Sequence, residues 1–343
     1  MQTSNAPCRS GALRWFGASA LMLLCAAAPA ATGPKSSAAF CVLSVEETGK
    51  LAIAEPGGTM RLKIFLGERP HEIDVSADGR TAYISMFGIT DYDSRIGTPG
   101  SLIRTVDLIK GALGKDFVLP VGLTGPHGVK LRPGKPTELY VNAEVGGDAM
   151  LVFDTRSFQL LRRFAMPEAT HNFVFSRDGS AIFSFAGAKG VTRTDATSGL
   201  EVAHVDVGSA VRGLAMLPSG YVLAAANGEV IVLRPSDLKI LHRLKTPQGG
   251  QYAYPAALAD GTIMAPSLAH GGVAVFPKGR LPASFVKTGE TTLSARVGPD
   301  GLVYVANVDD DHITVLDTKG RSVGSIANLS HPNGLSFGAC PRR

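Results

Sequence analysis

Beyond its first thirty residues the chain has no tryptophan, no long apolar run and no block of like charge. Each absence excludes something. Without an apolar stretch of about 18 residues, no later segment is long enough to cross a bilayer as a helix. Without a basic run or stripe, and with only 18% charged residues, nothing marks a nucleic-acid surface. None of the four cysteines forms Cys-x-x-Cys or Cys-x-x-Cys-His, which excludes a thiol redox pair and a covalently attached haem. There is no His-Glu-x-x-His, no Gly-x-Ser-x-Gly on a strand-to-helix turn and no phosphate-cradling Gly-rich loop before a helix.

What is present starts with an export signal. Arg9 and Arg14 form a basic start, Trp15 to Ala28 an apolar stretch, and Ala28-Pro29-Ala30 a small-residue cleavage site. Residues 1–30 therefore read as a secretory signal peptide and 31–40 as a short leader. The expected destination is the periplasm or the medium, with no membrane span after cleavage. Cys25 follows Leu23-Leu24 where lipid attachment would want a small residue, which argues against a lipid anchor. The whole chain carries +5, and two of those charges leave with the signal, so the remainder is nearly neutral.

The remainder is rich in turns, with 40 glycines and 21 prolines spread along the chain. It is organised around a repeated phrase, clearest from Arg69-Pro70-His71-Glu72 through Ala77-Asp78-Gly79 to Tyr83-Ile84-Ser85. Two apolar/polar alternations flank an Asp-Gly turn, which is the pattern of a hairpin. Weaker copies open at His127, His171, Arg212 and near Tyr254, a further turn stands at Pro299-Asp300-Gly301, and the opening words return at Pro332-Asn333-Gly334. Their spacing of about 40 residues is that of a four-stranded propeller blade. The expected fold is all-β: a seven-bladed β-propeller of four-stranded blades over 41–340. Six units are whole. The seventh combines three strands between Cys41 and Leu66 with one at Asn333 to Phe337, so that both chain ends close the ring and no blade edge is left unpaired.

That closure places Cys41 at the start of one strand and Cys340 just past its antiparallel neighbour. A disulfide between them is expected, because the other two cysteines leave with the signal and the compartment is oxidising.

Two units carry a resemblance. Tyr304-Val305-Ala306-Asn307 precedes Ile313-Thr314-Val315-Leu316-Asp317-Thr318, and Glu138-Leu139-Tyr140-Val141-Asn142 precedes Leu151-Val152-Phe153-Asp154-Thr155. Both resemble the YVTN-type β-propeller repeat, a group that overlaps lactonase-like propellers and mixes binding proteins with enzymes. The missing tryptophan counts against tryptophan–aspartate repeat and quinone-cofactor propellers.

In such a ring the first strand of each blade lines the channel, so the residues opening each phrase converge at one mouth. These are His71, His127, His171, Arg212, Tyr254 and Asn333. The loops between second and third strands reach the same face and carry Glu46, Glu47, Glu144, Asp148, His270 and Asp309 to Asp311. A longer loop from Gly88 to Gly100 adds Asp91, Asp93 and Arg95. Three histidines near carboxylates can hold a divalent metal or supply a base near neutral pH. A buried imidazole can instead simply bond its neighbours.

Two functions are carried forward. One is a module that binds a small molecule or protein at the mouth, with Arg212, Tyr254, Asn333, Asp93 and Arg95 as ligand contacts. The other, implied by the resemblance, is a lactonase-like hydrolase or lyase acting on a cyclic ester, metal-assisted or not. It would use His127, His171 or His71 as base and Arg212 or the metal against developing negative charge. Only Asn333 matches the gluconolactonase-like ligand pattern well.

Overall fold

The computed structural model describes residues 40–67, 69–90, 96–187 and 190–342. The proposed signal (1–30), most of the short leader, and both Asp93 and Arg95 lie outside the described residues. The described chain forms seven antiparallel sheets arranged as the blades of one ring. Blade 1 takes its inner strand, Pro332–Ala339, from one end of the chain and its next three, Phe40–Glu46, Lys50–Ala54 and Met60–Phe65, from the other. The inner strands of blades 2 to 7 are Pro70–Val75, Thr124–Arg132, Asn172–Phe175, Gly213–Met216, Ala256–Ala257 and Thr292–Val297.

The period-two alternation explains the ring. In blade 1, Leu43, Val45, Leu51 and Ile53 pack with Ile73, Ala82 and Ile84 of blade 2. Their neighbours Val42, Ala52 and Ala54 pack the opposite way, against Tyr304, Ala306 and Ile313 of blade 7. Seven apolar clusters arise, one at each junction between adjacent blades. Middle strands are buried on both faces and read as nearly continuous apolar runs, as in Val222–Ala226 and Val303–Asn307. Outer strands are exposed and carry charge, as in Leu160–Ala165 with Arg162 and Arg163, which blunts the free edge. With no tryptophan in the ring, buried tyrosines and phenylalanines such as Tyr140, Tyr304, Phe117 and Phe183 fill the junctions.

The hairpin turn is built as its sequence demands. Gly79 has φ 73°, a value that favours glycine, and Ser76 Oγ donates to Asp78 Oδ1 at 2.6 Å. The same arrangement recurs at Ser176, Asp178 and Gly179. At the seam, Cys41 lies opposite Gly338 and is disulfide-bonded to Cys340 with the Cα atoms 5.1 Å apart. Blade 2 departs from expectation. The sequence pattern predicts one outer strand near Phe117 to Val121, whereas the edge consists of two short pieces, Ala112–Leu113 and Phe117–Val118, both paired with Leu102–Asp107. Between them the pairing shifts by one residue, where Thr105 Oγ1 donates to the Lys115 carbonyl at 2.9 Å and Asp116 pairs with Arg104.

Candidate functional site

Each inner strand starts at one mouth of the channel, and a side chain of one blade can fix the entry to the next. Blade 3 shows how. Gly128 donates its N–H to Asn142 Oδ1 at 2.7 Å, and Asn142 Nδ2 donates on to the carbonyls of Thr170 and His171 at 3.1 and 3.2 Å. One side chain thus ties blade 3 to blade 4 and positions His171. A Cβ on Gly128 would stand 2.5 Å from both Asn142 Oδ1 and Asn172 Oδ1, so the approach requires glycine.

The three histidines form a continuous column. The ring centroids of His71 and His127 are 4.0 Å apart, and those of His127 and His171 are also 4.0 Å apart, tilted by 43° and 42°. Phe87 abuts the His71 and His127 rings edge-on at 5.5 and 4.8 Å, and Phe185 abuts His171 at 5.7 Å. His71 and His127 are buried, while the His171 side chain retains 16% exposure.

A carboxylate joins the column. The second strand of blade 3, Lys135–Val145, is eleven residues long, and its register against Thr124–Arg132 shifts between Val141 and Ala143. Glu144 lies beyond that shift. Its Oε1 stands 2.9 Å from His171 Nδ1 and 4.0 Å from His127 Nδ1. One ligand atom from each of His127, Glu144 and His171 lies within 4.8 Å of the other two. A two-nitrogen, one-oxygen donor set suits divalent first-row metals. The edge of a tetrahedral zinc site with bonds near 2.1 Å is about 3.4 Å, which the two measured separations bracket.

Arg212 and Tyr254 stand on the other side of His171. All three line a cavity of about 90 Å³ whose walls include Gln251 and Leu293. Arg212 Nε is buried and makes no hydrogen bond among the described residues. Asn333 is engaged elsewhere: its Nδ2 donates to Glu47 Oε1 at 3.2 Å, and its carbonyl accepts from Ser294 Oγ at 3.1 Å. Of the loop acids, Glu46 is buried against Lys63 and Asp310 accepts from Glu290 N–H, so both serve the scaffold.

Sequence reasoning singled out the three histidines but left Glu144 among several rim carboxylates. It overlooked Glu72 and Asn172 altogether. Asn172 Nδ2 donates to Glu72 Oε1 at 2.9 Å and approaches Tyr254 Oη at 3.5 Å, spanning the channel below the histidines. Each follows a phrase-opening histidine by one residue, and that shared position is the signal that marks them.

No protein-family model matches the chain, and no curated protein matches it in sequence. Solved structures do. A functionally unknown protein from Desulfotomaculum acetoxidans DSM 771 superposes with a TM-score of 0.66 at 14% identity, covering 88% of this chain and 99% of that one. The hydrazine synthase of Kuenenia stuttgartiensis superposes with a TM-score of 0.66 at 16% identity, covering 79% of this chain and 90% of the matched chain. Likeness at these identities is one of fold, and the chain is a seven-bladed β-propeller.

Proposed function

We propose that this propeller is an exported binding module whose site is the histidine-lined mouth, where His127, His171 and Glu144 hold a divalent transition-metal ion and Arg212 receives an anionic group of the ligand. The observation that carries the proposal is the meeting of two imidazoles and one carboxylate within 4.8 Å. Bound there, the metal would supply a positive centre that attracts the ligand. The protein's own part is to hold the imidazoles, exclude water with Phe87 and Phe185, and present Arg212 across the small cavity.

The cavity size limits what the mouth can enclose. At about 90 Å³ it is too small for a whole small molecule and suits one group of a ligand. Pockets enclosing whole small molecules run from about 300 Å³ upward. Export is supported by the Cys41–Cys340 bridge, a feature of oxidising compartments. Among the described residues no helix is long and apolar enough to cross a membrane.

The lactonase-like reading is favoured by one feature, the sharing of that cavity by an imidazole, a guanidinium and a phenol. Elemental analysis of untagged protein separates the alternatives in two steps. A stoichiometric divalent metal, lost in the His127→Ala/His171→Ala variant, is expected; metal-free protein would sink the proposal. Lactone hydrolysis followed in a pH-stat, abolished by His171→Ala, would replace binding by catalysis.

A further inference from the structure

The far end of the channel has chemistry of its own. Three residues on from His71, His127, His171 and Asn333 stand Asp74, Lys130, Val174 and Ser336, and Arg296 of the inner strand Thr292–Val297 joins them toward the far end of the channel. All five line one cavity of about 360 Å³, large enough for a small molecule. Its remaining walls are mainly apolar, among them Phe175 and Phe337.

The charges here are unevenly matched. Asp74 is occupied by the backbone: Oδ2 accepts from Leu131 N–H at 2.7 Å and Oδ1 from Val75 N–H at 2.9 Å. Burial pushes its carboxyl upward, against the pull of those bonds. Lys130 and Arg296 are left to share Glu72. Its Oε2 lies 4.0 Å from Lys130 Nζ and 3.8 Å from Arg296 Nη2, beyond hydrogen-bond distance, while its Oε1 is taken by Asn172. Among the described residues neither the Lys130 ammonium nor the Arg296 guanidinium donates a hydrogen bond. Their side chains are 17% and 33% exposed, so both are partly stripped of water beside an apolar wall. Burial lowers the Lys130 pKa despite Glu72 nearby.

We infer that this end of the channel is a second binding site, for a small organic monoanion with an apolar body, whose carboxylate lies between Lys130 and Arg296. Glu72 occupies part of the same cationic field and acts as an internal competitor. The site is independent of the histidine mouth.

Isothermal titration of the full chain with benzoate and hexanoate, against acetate, tests it. Saturable one-to-one binding of the two larger anions is expected, with acetate far weaker. Arg296→Met should weaken benzoate at least about tenfold, since it removes a charge-assisted contact. Glu72→Gln should tighten it by about the same factor by removing the competitor. The His127→Ala/His171→Ala variant should leave the affinity unchanged, which separates this site from the mouth. Absence of benzoate binding to the wild type would overturn the inference, as would unchanged or weaker binding in Glu72→Gln. Should Arg296→Met fail to fold, the Glu72→Gln result decides alone, because it must move the other way.

Discussion

Glu144 Oε1 stands 2.9 Å from His171 Nδ1, and the pair closes one side of a three-donor cluster completed by His127. Glu144→Gln preserves the shape of that side chain and removes its charge. Divalent-metal affinity, measured by competition with a chelator, should fall by at least about ten- to a hundredfold, the range already seen when a residue that merely supports a metal ligand is changed. Unchanged affinity would assign the carboxylate to the scaffold.

Acid should unfold the protein partly through Glu138. Burial pushes this carboxyl up, but hydrogen bonds from Arg162 at 2.8 Å and Arg132 at 3.1 Å outweigh that and hold it at about 2, against 4.5 for the free side chain. A depressed folded pKa contributes stability that is present above 4.5 and lost as pH falls toward about 2. The contribution at neutral pH is on the order of 3 kcal/mol as an upper limit. Denaturant titrations at stepped pH should show Glu138→Gln less stable than wild type at pH 7, with the difference shrinking through that window.

Gly128→Ala should destabilise the ring by about 2 kcal/mol or more, because the added Cβ would overlap two amide oxygens held by their own bonds. Backbone conformation is not the cause here; the obstacle is steric. Gly134→Ala, which meets no neighbour, serves as a control only for the absence of contact, since its φ of 75° carries strain.

The disulfide joins residues 299 apart in sequence. By the loop-entropy relation its removal in Cys340→Ser should cost up to about 6 kcal/mol, read as a lower denaturant midpoint. Thiol titration of unreduced, denatured protein lacking residues 1–30 should find no free thiol. Two would refute the bridge.

The fold was legible because its grammar is local. Each Asp-Gly hairpin announces itself, and the count of copies, with fragments at both ends, gives seven blades. Cys41 and Cys340 then fall at the seam. The site was legible only in part. His71, His127 and His171 share a phrase position, so their common mouth could be read directly. Glu144 could not be told from Asp148, because which of them reaches the histidines depends on the register shift near Val141. Lys130 and Arg296 look like ordinary polar alternation along a strand. Only the closed ring brings residues of blades 3 and 7 to the same carboxylate. In blade 2 the strand near Phe117 was legible but the piece Ala112–Leu113 was not, because a one-residue shift in pairing separates the two and no local pattern reveals it.

The seam also has a consequence for biosynthesis. The strand Phe40–Glu46 is made early, yet the partner on its inner edge is Pro332–Ala339, made last among the described strands. Until that strand arrives, Phe40–Glu46 presents an open ladder, and the Val42 and Leu43 faces wait for a ring that cannot close. Six blades can stack as they emerge, but completion is a single terminal event. A chain stopped before Pro332 would be an arc with a sticky edge, a substrate for proteases and for pairing with its own kind.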